Sequence, residues 1–288
     1  MKSGKNTALA AIGAGIACIV LMLVVLGSAI SAEDGKISDR RLMGIMYHQV
    51  LKDESKSGRY IITPAELEAD LAYLSENGFV SVLPSDIVNV VDNNGKLPEK
   101  CVMITFDDGY ETGLYYVLPL LEKYNMKAVI NIVGSYTDKY TEIDCEGEHL
   151  SYAYLTWDEV KRLNGSGMVE IGSHTYSMHC DQDGRKGCSR LPGETDGEYR
   201  SALLEDLTAL SEKLRSVIGK KPLSFAYPYG AISEGSEEIV AETGVRVLMT
   251  CCELPTVIND NDRIVINRYN RESGRTVGEI YLEYLQSL

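Results

Sequence analysis

Short apolar runs alternate with amphipathic segments along the chain from residue 42 onward. The run at 101–106 is almost continuously apolar, which is typical of a strand buried in a parallel sheet. We predict strands at 42–47, 80–83, 101–106, 128–133, 168–171, 223–227, 245–250 and 264–267. Strands that alternate with helices indicate an α/β fold, either an α/β barrel or a doubly wound sheet.

Capping signals mark where several helices begin. Thr63 suits an N-cap, Pro64 suits the first helical position, and Glu66 completes a capping box. Residues 156–159 (TWDE) repeat the capping box. Apolar spacing and these signals predict seven helices. The first runs from 64 to Gly78, the second is capped by Ser85 and runs to 92, and the third covers 113–124 with a bend at Pro119. The others begin after 156, cover 197–218 and 236–243, and begin after Thr276. We expect residues 134–154 to be irregular.

A long apolar run near the N-terminus indicates the compartment. No charged residue lies between Lys5 and Glu33, and residues 7–30 can span a bilayer, which needs about 20 residues. The positive-inside rule then places the following domain outside the cytoplasm. We predict a cytoplasmic segment at 1–6, an uncleaved transmembrane signal anchor at 7–30, a linker at 31–40 and one catalytic domain at 41–288. Small residues at 28–32 leave open a cleaved signal peptide, in which case the domain would be secreted.

Composition and charge narrow the function classes. The chain has 288 residues, of which 44% are hydrophobic and 24% charged, and this excludes a disordered or collagen-like chain. The formal net charge is −14. Because nucleic-acid binding requires a basic surface, we expect no nucleic-acid partner. Neither property indicates an oligomeric state.

Seven cysteines occur, and Cys18 lies inside the predicted membrane span. The other six could pair outside the cytoplasm, and they are Cys101, Cys145, Cys180, Cys188, Cys251 and Cys252. A local bridge between Cys180 and Cys188 is one candidate, whereas Cys101 is expected to be a buried thiol. No two cysteines are spaced as CxxC, which argues against a zinc ribbon or a thioredoxin-like motif.

In α/β folds of this kind, reactive groups lie at the carboxyl ends of the strands. Asp107 and Asp108 directly follow the strand at 101–106, and two buried carboxylates need a metal or a cation to compensate them. Helix capping would explain one of the two. The strand at 168–171 leads into a loop with His174 and His179. Two His and one Asp make a three-ligand site for Zn²⁺ or a similar ion, with a position left open for water.

Two other strand ends carry weaker candidates. His48 follows the first strand, where a histidine could act as a general acid near neutral pH. Tyr229 lies in a Pro-Tyr-Gly turn whose backbone N–H groups could face a ligand, although ordinary turn chemistry explains this tripeptide equally well. Of the 18 tyrosines, we expect Tyr176 and Tyr229 to lie near the site.

Three motifs stand at these strand ends in a specific order: TFDDG at 105–109, the pair His174 and His179, and FAYPYG at 225–230. Together they resemble the polysaccharide deacetylases, carbohydrate esterase family 4, which have a NodB-type domain. The resemblance covers roughly residues 42–271. It implies a distorted (β/α)7 barrel and the metal-dependent removal of acetate from N-acetylated sugar polymers.

The chain departs from the commoner family pattern in three places. The second histidine, His179, stands one residue later than usual, a spacing similar to that of poly-N-acetylglucosamine deacetylases. Phe225 replaces the usual Arg, so that Arg268 or Arg271 is the candidate for the missing charge. No histidine follows His179, and the resembling subgroup implies that the Tyr-His pair at 47–48 supplies the general acid.

The resemblance assigns roles to the candidates. Three residues would hold a divalent metal, most simply Zn²⁺, with Co²⁺ and Ni²⁺ as alternatives: Asp108, His174 and His179. Asp107 would accept a proton from the metal-bound water that attacks the acetyl carbonyl. The Tyr229 backbone N–H would help to hold the oxyanion, and His48 would protonate the departing amine.

The expected substrate is an N-acetylated glycan polymer, either the peptidoglycan of the cell wall or a poly-N-acetylglucosamine. Two other functions stay open. One is a non-catalytic glycan-binding relative, and the other is an extracytoplasmic O-acetyl esterase that uses the same metal site. A phosphotransferase is disfavoured, because no glycine-rich phosphate loop accompanies Asp107.

Overall fold

Parallel strands that curve into a ring form the centre of the protein. In the computed structural model they are β1 (Arg41–Tyr47), β2 (Cys101–Phe106), β3 (Ala128–Ile132), β4 (Val169–Ser173), β5 (Ser224–Ala226), β6 (Val247–Met249), β7 (Ile264–Ile266) and β8 (Arg268–Asn270). From β1 to β7, each strand pairs in parallel with the next, and β8 pairs with β1. The predicted α/β class is confirmed.

One bent segment brings the two edges of this sheet together. Asn267 alone separates β7, which pairs with β6, from β8, which pairs with β1. Gly44 on β1 faces the bend, and a Cβ there would lie 2.4 Å from the Asn267 carbonyl oxygen. The ring is irregular where β4 meets β5, because only Ser173 and Phe225 are in register. This nearly closed sheet fits the expected distorted (β/α)7 barrel.

Side chains alternate between two faces along each strand. On β2, Val102, Ile104 and Phe106 belong to the apolar cluster that includes the helices, whereas Met103 packs with residues of four other strands inside the ring. Those residues are Val129, Ala226, Met249 and Ile266. Because side chains on a strand return to the same face every second residue, Thr105 lies on the interior face together with Met103.

Helices follow the strands and cover the outside of the ring. They are α1 (Pro64–Glu76), α2 (Pro84–Asp92), α3 (Leu118–Tyr124), α4 (Gly134–Ile143), α5 (Trp157–Gly165), α6 (Asp196–Ile218), α7 (Ser236–Glu242) and α8 (Val277–Gln286). The predicted capping boxes of Thr63 and Thr156 are both present. A π-helical turn at Gly113–Val117 leads directly into α3, so the helix predicted at 113–124 is present and changes from π to α geometry at Leu118.

Shorter elements connect these units. The short strands are Gln49–Val50, Ile61–Ile62, Val80–Ser81, Asp181–Gln182, Arg185–Lys186 and Thr256–Val257, and the 3₁₀ turns are Glu54–Lys56 and Pro228–Gly230. Asp181–Gln182 and Arg185–Lys186 form an antiparallel hairpin. This hairpin lies in the segment between β4 and β5, and its residue Lys186 lines a pocket at the carboxyl ends of the strands.

Two predictions about helices are wrong. Ser85 is not the cap of α2, because the helix begins one residue earlier and the Asp86 carboxylate accepts a hydrogen bond from the Leu83 N–H. Part of the stretch predicted to be irregular is α4. Its sequence has no apolar period, and hydrogen bonds hold it instead: the Trp157 indole N–H donates to Asp138, and the Tyr140 hydroxyl donates to the Tyr152 carbonyl.

The structure describes residues 40–143, 150–182, 184–259 and 261–288. The predicted anchor at 7–30 and most of the linker lie outside these ranges. Residues 41–288 form one compact unit. In the described ranges, no helix is both long enough and apolar enough to cross a bilayer.

The candidate disulfide between Cys180 and Cys188 is wrong, because both residues are free thiols. Cys188 is buried against Tyr199 and Leu203, so the turn after the hairpin directs it into an apolar cluster. Among the described residues, the other free thiols are Cys101, Cys251 and Cys252, and Cys145 lies outside the described ranges. Cys101 is buried, as expected, and burial raises the pKa of its thiol to about 12.

Candidate active site

A pocket of about 440 Å³ opens at the carboxyl ends of the strands. Its lining combines the predicted site residues with others that the sequence analysis did not select. The lining residues are Met46, His48, Arg59, Tyr60, Asp107, Asp108, Tyr110, His174, His179, Lys186, Tyr227, Tyr229, Cys251, Glu253 and Asn270. The pocket therefore brings together the ends of β1, β2, β4, β5, β6 and β8.

Asp108 lies at the centre of a cluster of three potential metal ligands. Its Oδ1 is 3.4 Å from Nε2 of His174 and 3.0 Å from Nε2 of His179. One donor atom from each of the three residues lies within 4.8 Å of the other two. The loop between the histidines thus brings their side chains to one point, which a regular helix could not do at this spacing.

A sharp turn after β2 aims the Asp108 carboxylate. Asp108 and Gly109 have φ values of 73° and 75°, in the left-handed region. At Gly109 a Cβ would lie 3.1 Å from the Cα of Ile132, so glycine is required both by the backbone and by the close approach of β3. For Asp108, a non-glycine residue, this conformation costs free energy that the surrounding contacts must offset.

Asp206 on α6 holds the loop that carries the two histidines. Its carboxylate accepts hydrogen bonds from the N–H groups of Tyr176 and Ser177, both at 2.7 Å, and from the Ser177 hydroxyl at 2.8 Å. Thr175 at the start of the loop has a φ of 75°. Because α6 is 23 residues long, Asp206 fixes the loop to a rigid element.

Hydrogen bonds orient both imidazole rings. Nδ1 of His174 is 2.7 Å from the Ala226 carbonyl oxygen. A carbonyl can only accept, so Nδ1 carries a proton, and Nε2 is the nitrogen that faces the ligand cluster. The Tyr136 hydroxyl donates to the His179 carbonyl at 3.0 Å and lies 3.4 Å from Nδ1 of the ring.

The cluster suits a divalent metal. Burial would raise the pKa of the Asp108 carboxyl, but contacts with His174 and His179 hold that pKa well below its usual range. An ionised carboxylate and two imidazole nitrogens are the donor set of catalytic Zn²⁺ sites, and the bond from His174 to a carbonyl is the outer contact that such ligands usually make. The residues present therefore fit the expected cofactor.

Asp107 is held by three donors inside the ring. Arg268 donates from Nη1 to Oδ1 and from Nη2 to Oδ2, both at 2.8 Å, and Asn131 donates to Oδ1 at 2.7 Å. Arg268 is itself fixed by the Thr105 hydroxyl and the Thr250 carbonyl. Its side chain is 0% exposed and that of Asp107 3%. This bidentate pair fixes the orientation of the carboxylate toward the pocket.

The surroundings of Asp107 strongly favour the ionised form of its carboxyl group. Burial alone would raise the pKa of its carboxyl, but the Arg268 guanidinium and then His174 hold that pKa well below the usual range. Arg271, the other candidate for this charge, pairs instead with Asp70 at 2.7 Å and does not line the pocket. The geometry thus chooses Arg268.

His48 reaches the pocket from the end of β1. Its Nδ1 is buried without a hydrogen-bond partner among the described residues, and its ring packs against Tyr60 with 4.7 Å between centroids. Burial lowers the pKa of His48, while Asp108 and Asp107 act in the opposite direction. A titratable ring with a free nitrogen is therefore available on the wall of the pocket.

The two tyrosines expected near the site differ in position. Tyr229 lines the pocket, with a φ of 59° and its hydroxyl 3.4 Å from Nδ1 of His179. Tyr176 does not line it; its hydroxyl donates to Asp138 at 2.7 Å, because the loop turns the ring toward α4. Of the two tyrosines, Tyr229 lines the pocket, whereas Tyr176 lies in the loop between the two histidines with its side chain turned away.

Several residues that shape the site were missed by the sequence analysis. Asn131 is the only polar residue in the run AVINI of β3, and a buried polar side chain inside an apolar strand is a signal that could have selected it. Asp206 occupies a buried position among the leucines of α6 and carried the same signal. No local signal distinguishes Tyr136 or the Ala226 carbonyl.

Comparisons with known proteins agree with this site. The chain matches the model of the polysaccharide deacetylase family over residues 94–248. It is 30% identical over 226 residues to the poly-beta-1,6-N-acetyl-D-glucosamine N-deacetylase of Escherichia coli (strain K12), which covers 72% of this chain and 33% of the relative. The chain thus spans about a third of the length of that relative.

Two solved structures share the fold. A de-N-acetylase from Aggregatibacter actinomycetemcomitans superposes with a TM-score of 0.70 at 25% identity, covering 84% of this chain and 99% of that one. IcaB from Ammonifex degensii gives 0.65 at 25% identity, with coverages of 81% and 93%. The matched family model includes the segment with Asp107, Asp108, His174 and His179. The chain therefore belongs to the polysaccharide deacetylase family of hydrolases.

Proposed function

We propose that the protein removes acetate from N-acetylglucosamine units of a polysaccharide, with a divalent metal held by Asp108, His174 and His179. The observation that carries this proposal is that the three potential ligands converge within 4.8 Å in a pocket that also contains the Arg268-bound carboxylate of Asp107. The E. coli relative is named for poly-β-1,6-N-acetylglucosamine. Its name favours that polymer over peptidoglycan as the substrate.

Hydrolysis of the amide needs a base for the attacking water and an acid for the departing amine. A divalent metal, most simply Zn²⁺, would lower the pKa of a coordinated water and polarise the acetyl carbonyl. Asp107 is placed to accept a proton of the water, because Arg268 and Asn131 hold its carboxylate in one orientation. The C–N bond breaks, the water oxygen becomes part of acetate, and the sugar nitrogen leaves with a proton.

His48 and Tyr229 complete the proposed machinery. The ring of His48 lies on the pocket wall with a free Nδ1 and is the candidate donor of the proton to the amine. The Tyr229 backbone N–H, in a turn beside the pocket, is the candidate donor to the oxyanion. For the cellular setting, we propose that residues 7–30 anchor the protein and leave residues 41–288 outside the cytoplasm.

Acetate release by the full-length protein, supplied with Zn²⁺ or Co²⁺, tests the proposal. Oligomers of N-acetylglucosamine and peptidoglycan are offered in parallel, together with an O-acetylated sugar. We expect release from the oligomers. Release only from the O-acetyl ester, or from none of these by folded and metal-loaded protein, would overturn the proposed reaction in favour of an esterase or a glycan-binding protein.

Metal content tests the ligand assignment separately. We expect Asp108→Ala and His174→Ala to lose bound Zn²⁺, whereas Asp107→Asn keeps it, because Asp107 contacts Arg268 rather than the cluster. The metal is measured by elemental analysis after dialysis, with circular dichroism to show that each variant is folded. Unchanged metal content in both alanine variants would contradict the assignment.

A further inference from the structure

A glycine on the interior face of the sheet leaves room for the side chain of Asn131. Gly172 on β4 is in register with Asn131 on β3. A Cβ at position 172 would lie 2.1 Å from Oδ1 of Asn131 and 3.2 Å from its Cγ. In a close-packed interior a carbon atom cannot come so near, so a larger residue at 172 would displace the amide. Glycine inside a strand is typical of such close approaches.

The backbone gives no reason for a glycine at this position. Gly172 lies within β4, and its φ is not positive. Glycine also weakens the interior of a strand, because it has no side chain to pack. Ile171, the residue before it, packs in the outer apolar cluster, so Gly172 faces the inside of the ring. The space that Asn131 occupies therefore explains why no side chain stands at position 172.

A second polar group, the hydroxyl of Ser224 on β5, borders the same space. A Cβ at position 172 would lie 2.6 Å from Ser224 Oγ, so this oxygen and Oδ1 of Asn131 approach one point from two sides. Both atoms are buried, and neither has a hydrogen-bond partner among the residues that the structure describes. An amide oxygen only accepts, whereas a hydroxyl can also donate, so the Ser224 hydroxyl is a suitable donor to the amide.

The nitrogen of the same amide holds Asp107. Nδ2 of Asn131 donates to Oδ1 of Asp107 at 2.7 Å and lies 3.6 Å from Sδ of Met249. Asn131 is 0% exposed, so its side chain cannot turn into solvent to avoid a new neighbour. Displacing the amide oxygen would therefore also move the NH2 group, and Asp107 would keep only the two hydrogen bonds from Arg268.

We propose that Gly172 and Ser224 are positioning residues for Asp107, and this inference rests on the function proposed above. Gly172 reserves the space in which the Asn131 amide lies. Ser224 offers its hydroxyl to the amide oxygen and so favours the orientation in which the NH2 group faces Asp107. Both residues act through Asn131, because neither of them lines the pocket.

The expected effect is on turnover rather than on substrate binding. Asp107 accepts a proton from water in the proposed reaction, and small errors in the position of a reacting group slow the chemical step. Since Gly172 and Ser224 do not line the pocket, the substrate should bind as before. We expect Gly172→Ala to lower kcat about fivefold and Ser224→Ala about twofold, each with KM within about twofold of the wild type.

A double-mutant cycle with Asn131→Ala tests whether position 172 acts through Asn131. Acetate release from N-acetylglucosamine oligomers is measured for full-length, Zn²⁺-loaded wild type, the two single variants and the double variant, per folded molecule. We expect Gly172→Ala to lower kcat about fivefold in the wild type but less than about twofold in Asn131→Ala, because the atom that the new methyl group would strike is gone. Ser224→Ala should likewise have no effect in Asn131→Ala.

Gly113→Ala provides the matched control. A Cβ there would lie 3.0 Å from Cδ1 of Ile130, the residue before Asn131, which packs in the apolar cluster on the outer face of the same strand. We expect this variant to lower the melting temperature without changing kcat, and to do so equally in the wild type and in Asn131→Ala.

Unchanged kcat in folded Gly172→Ala, or the same fold-loss in both backgrounds, would overturn the role of Gly172, and unchanged kcat in Ser224→Ala would overturn that of Ser224. If Gly172→Ala alone does not fold, the double variant with Asn131→Ala must fold, and its failure to do so would equally overturn the proposal. Absence of acetate release by metal-loaded wild type would instead overturn the proposed function, and the melting temperatures of the same four proteins would still test the contact between positions 172 and 131.

Discussion

The protein contains two buried Asp–Arg pairs whose arginines, Arg268 and Arg271, are three residues apart but whose surroundings differ. Asp107 and Arg268 meet inside the ring through two bonds of 2.8 Å, and Asp107 opens onto the pocket. Asp70 and Arg271 meet outside it at 2.7 and 3.3 Å, and Asp70 also accepts bonds from the Tyr47 hydroxyl and the Val277 N–H.

The difference shows that burial and pairing alone do not mark a catalytic carboxylate. Both aspartates are nearly inaccessible, at 2% and 3% exposure. Burial raises the pKa of Asp70, and Arg271 only partly reverses this. For Asp107, Arg268 together with His174 and His48 more than reverses the effect of burial and lowers the pKa. Only Asp107 adjoins the ligand cluster. We therefore assign a structural role to Asp70 and Arg271, which connect α1, the end of β8 and α8. The following variants test the difference between a catalytic and a structural pair.

Replacing each carboxylate by its amide should give the largest contrast. Asp107→Asn removes the proposed base, and we expect kcat to fall by about 10³. Asp70→Asn should leave kcat within about twofold of the wild type and lower the melting temperature, since it leaves Arg271 without its buried partner. The measurements are acetate release per folded, metal-loaded molecule and a thermal melt. A comparable loss of kcat in Asp70→Asn would remove the distinction between the pairs.

Replacing each arginine by lysine should separate orientation from stability. Lysine keeps the charge but cannot form two parallel bonds to one carboxylate. We expect Arg268→Lys to lower kcat about tenfold or more, because Asp107 loses its fixed orientation, whereas Arg271→Lys should lower only the free energy of unfolding, by about 1–3 kcal/mol. Kinetics and urea unfolding of the same preparations check both expectations. Wild-type kcat in folded Arg268→Lys would mean that orientation by Arg268 is unimportant.

The third donor of each pair offers a smaller test. Asn131→Ala deletes the amide that donates to Asp107, and Tyr47→Phe deletes the hydroxyl that donates to Asp70. We expect each change to cost about 1–2 kcal/mol of stability. Only Asn131→Ala should also reduce kcat, by a few-fold, as measured under saturating substrate. A similar reduction in Tyr47→Phe would show that the outer network reaches the site.

Stability should depend on pH with opposite signs for the two aspartates. The pKa of Asp107 is lowered on folding, so its contribution is present above about pH 4 and is lost as the pH falls through the folded pKa. The pKa of Asp70 is raised, so its contribution is complete below about pH 4 and is lost as the pH rises through the folded pKa. The free energy of unfolding is compared between wild type and each variant in metal-free protein. As the pH falls, the difference between wild type and Asp107→Asn should become smaller, and the difference between wild type and Asp70→Asn should become larger. Each change should be on the order of 1 kcal/mol. Gaps that change in the same direction would contradict these shifts.

Local signals in the sequence predicted most of the elements. The bounds of β2 were predicted because its run is almost continuously apolar and ends at Asp107. The starts of α1 and α5 were predicted from capping boxes at Thr63 and Thr156. α4 was missed, because side-chain hydrogen bonds rather than an apolar stripe stabilise it. The supposed bridge between Cys180 and Cys188 failed since proximity in sequence does not determine where a thiol packs.

For the site, the sequence could name the chemistry but not the partners. The adjacent aspartates and the His pair were visible as strand-end motifs. The choice between Arg268 and Arg271 depended on which side of a short strand faces the interior, and the bend at Asn267 determines this only in three dimensions. The roles of Asp206 and the Ala226 carbonyl also arise from tertiary contacts.

The bent segment that closes the ring has a consequence for how the protein matures. Arg268 lies 161 residues after Asp107 in the chain, and β8 must pair with β1 at the opposite end of the domain. Contacts so distant in sequence form late and slow folding. During synthesis, Asp107 therefore lacks its partner Arg268 until almost the whole domain has been made. Ring closure and the assembly of the reactive centre become a single event, so that an incomplete chain cannot carry a finished site.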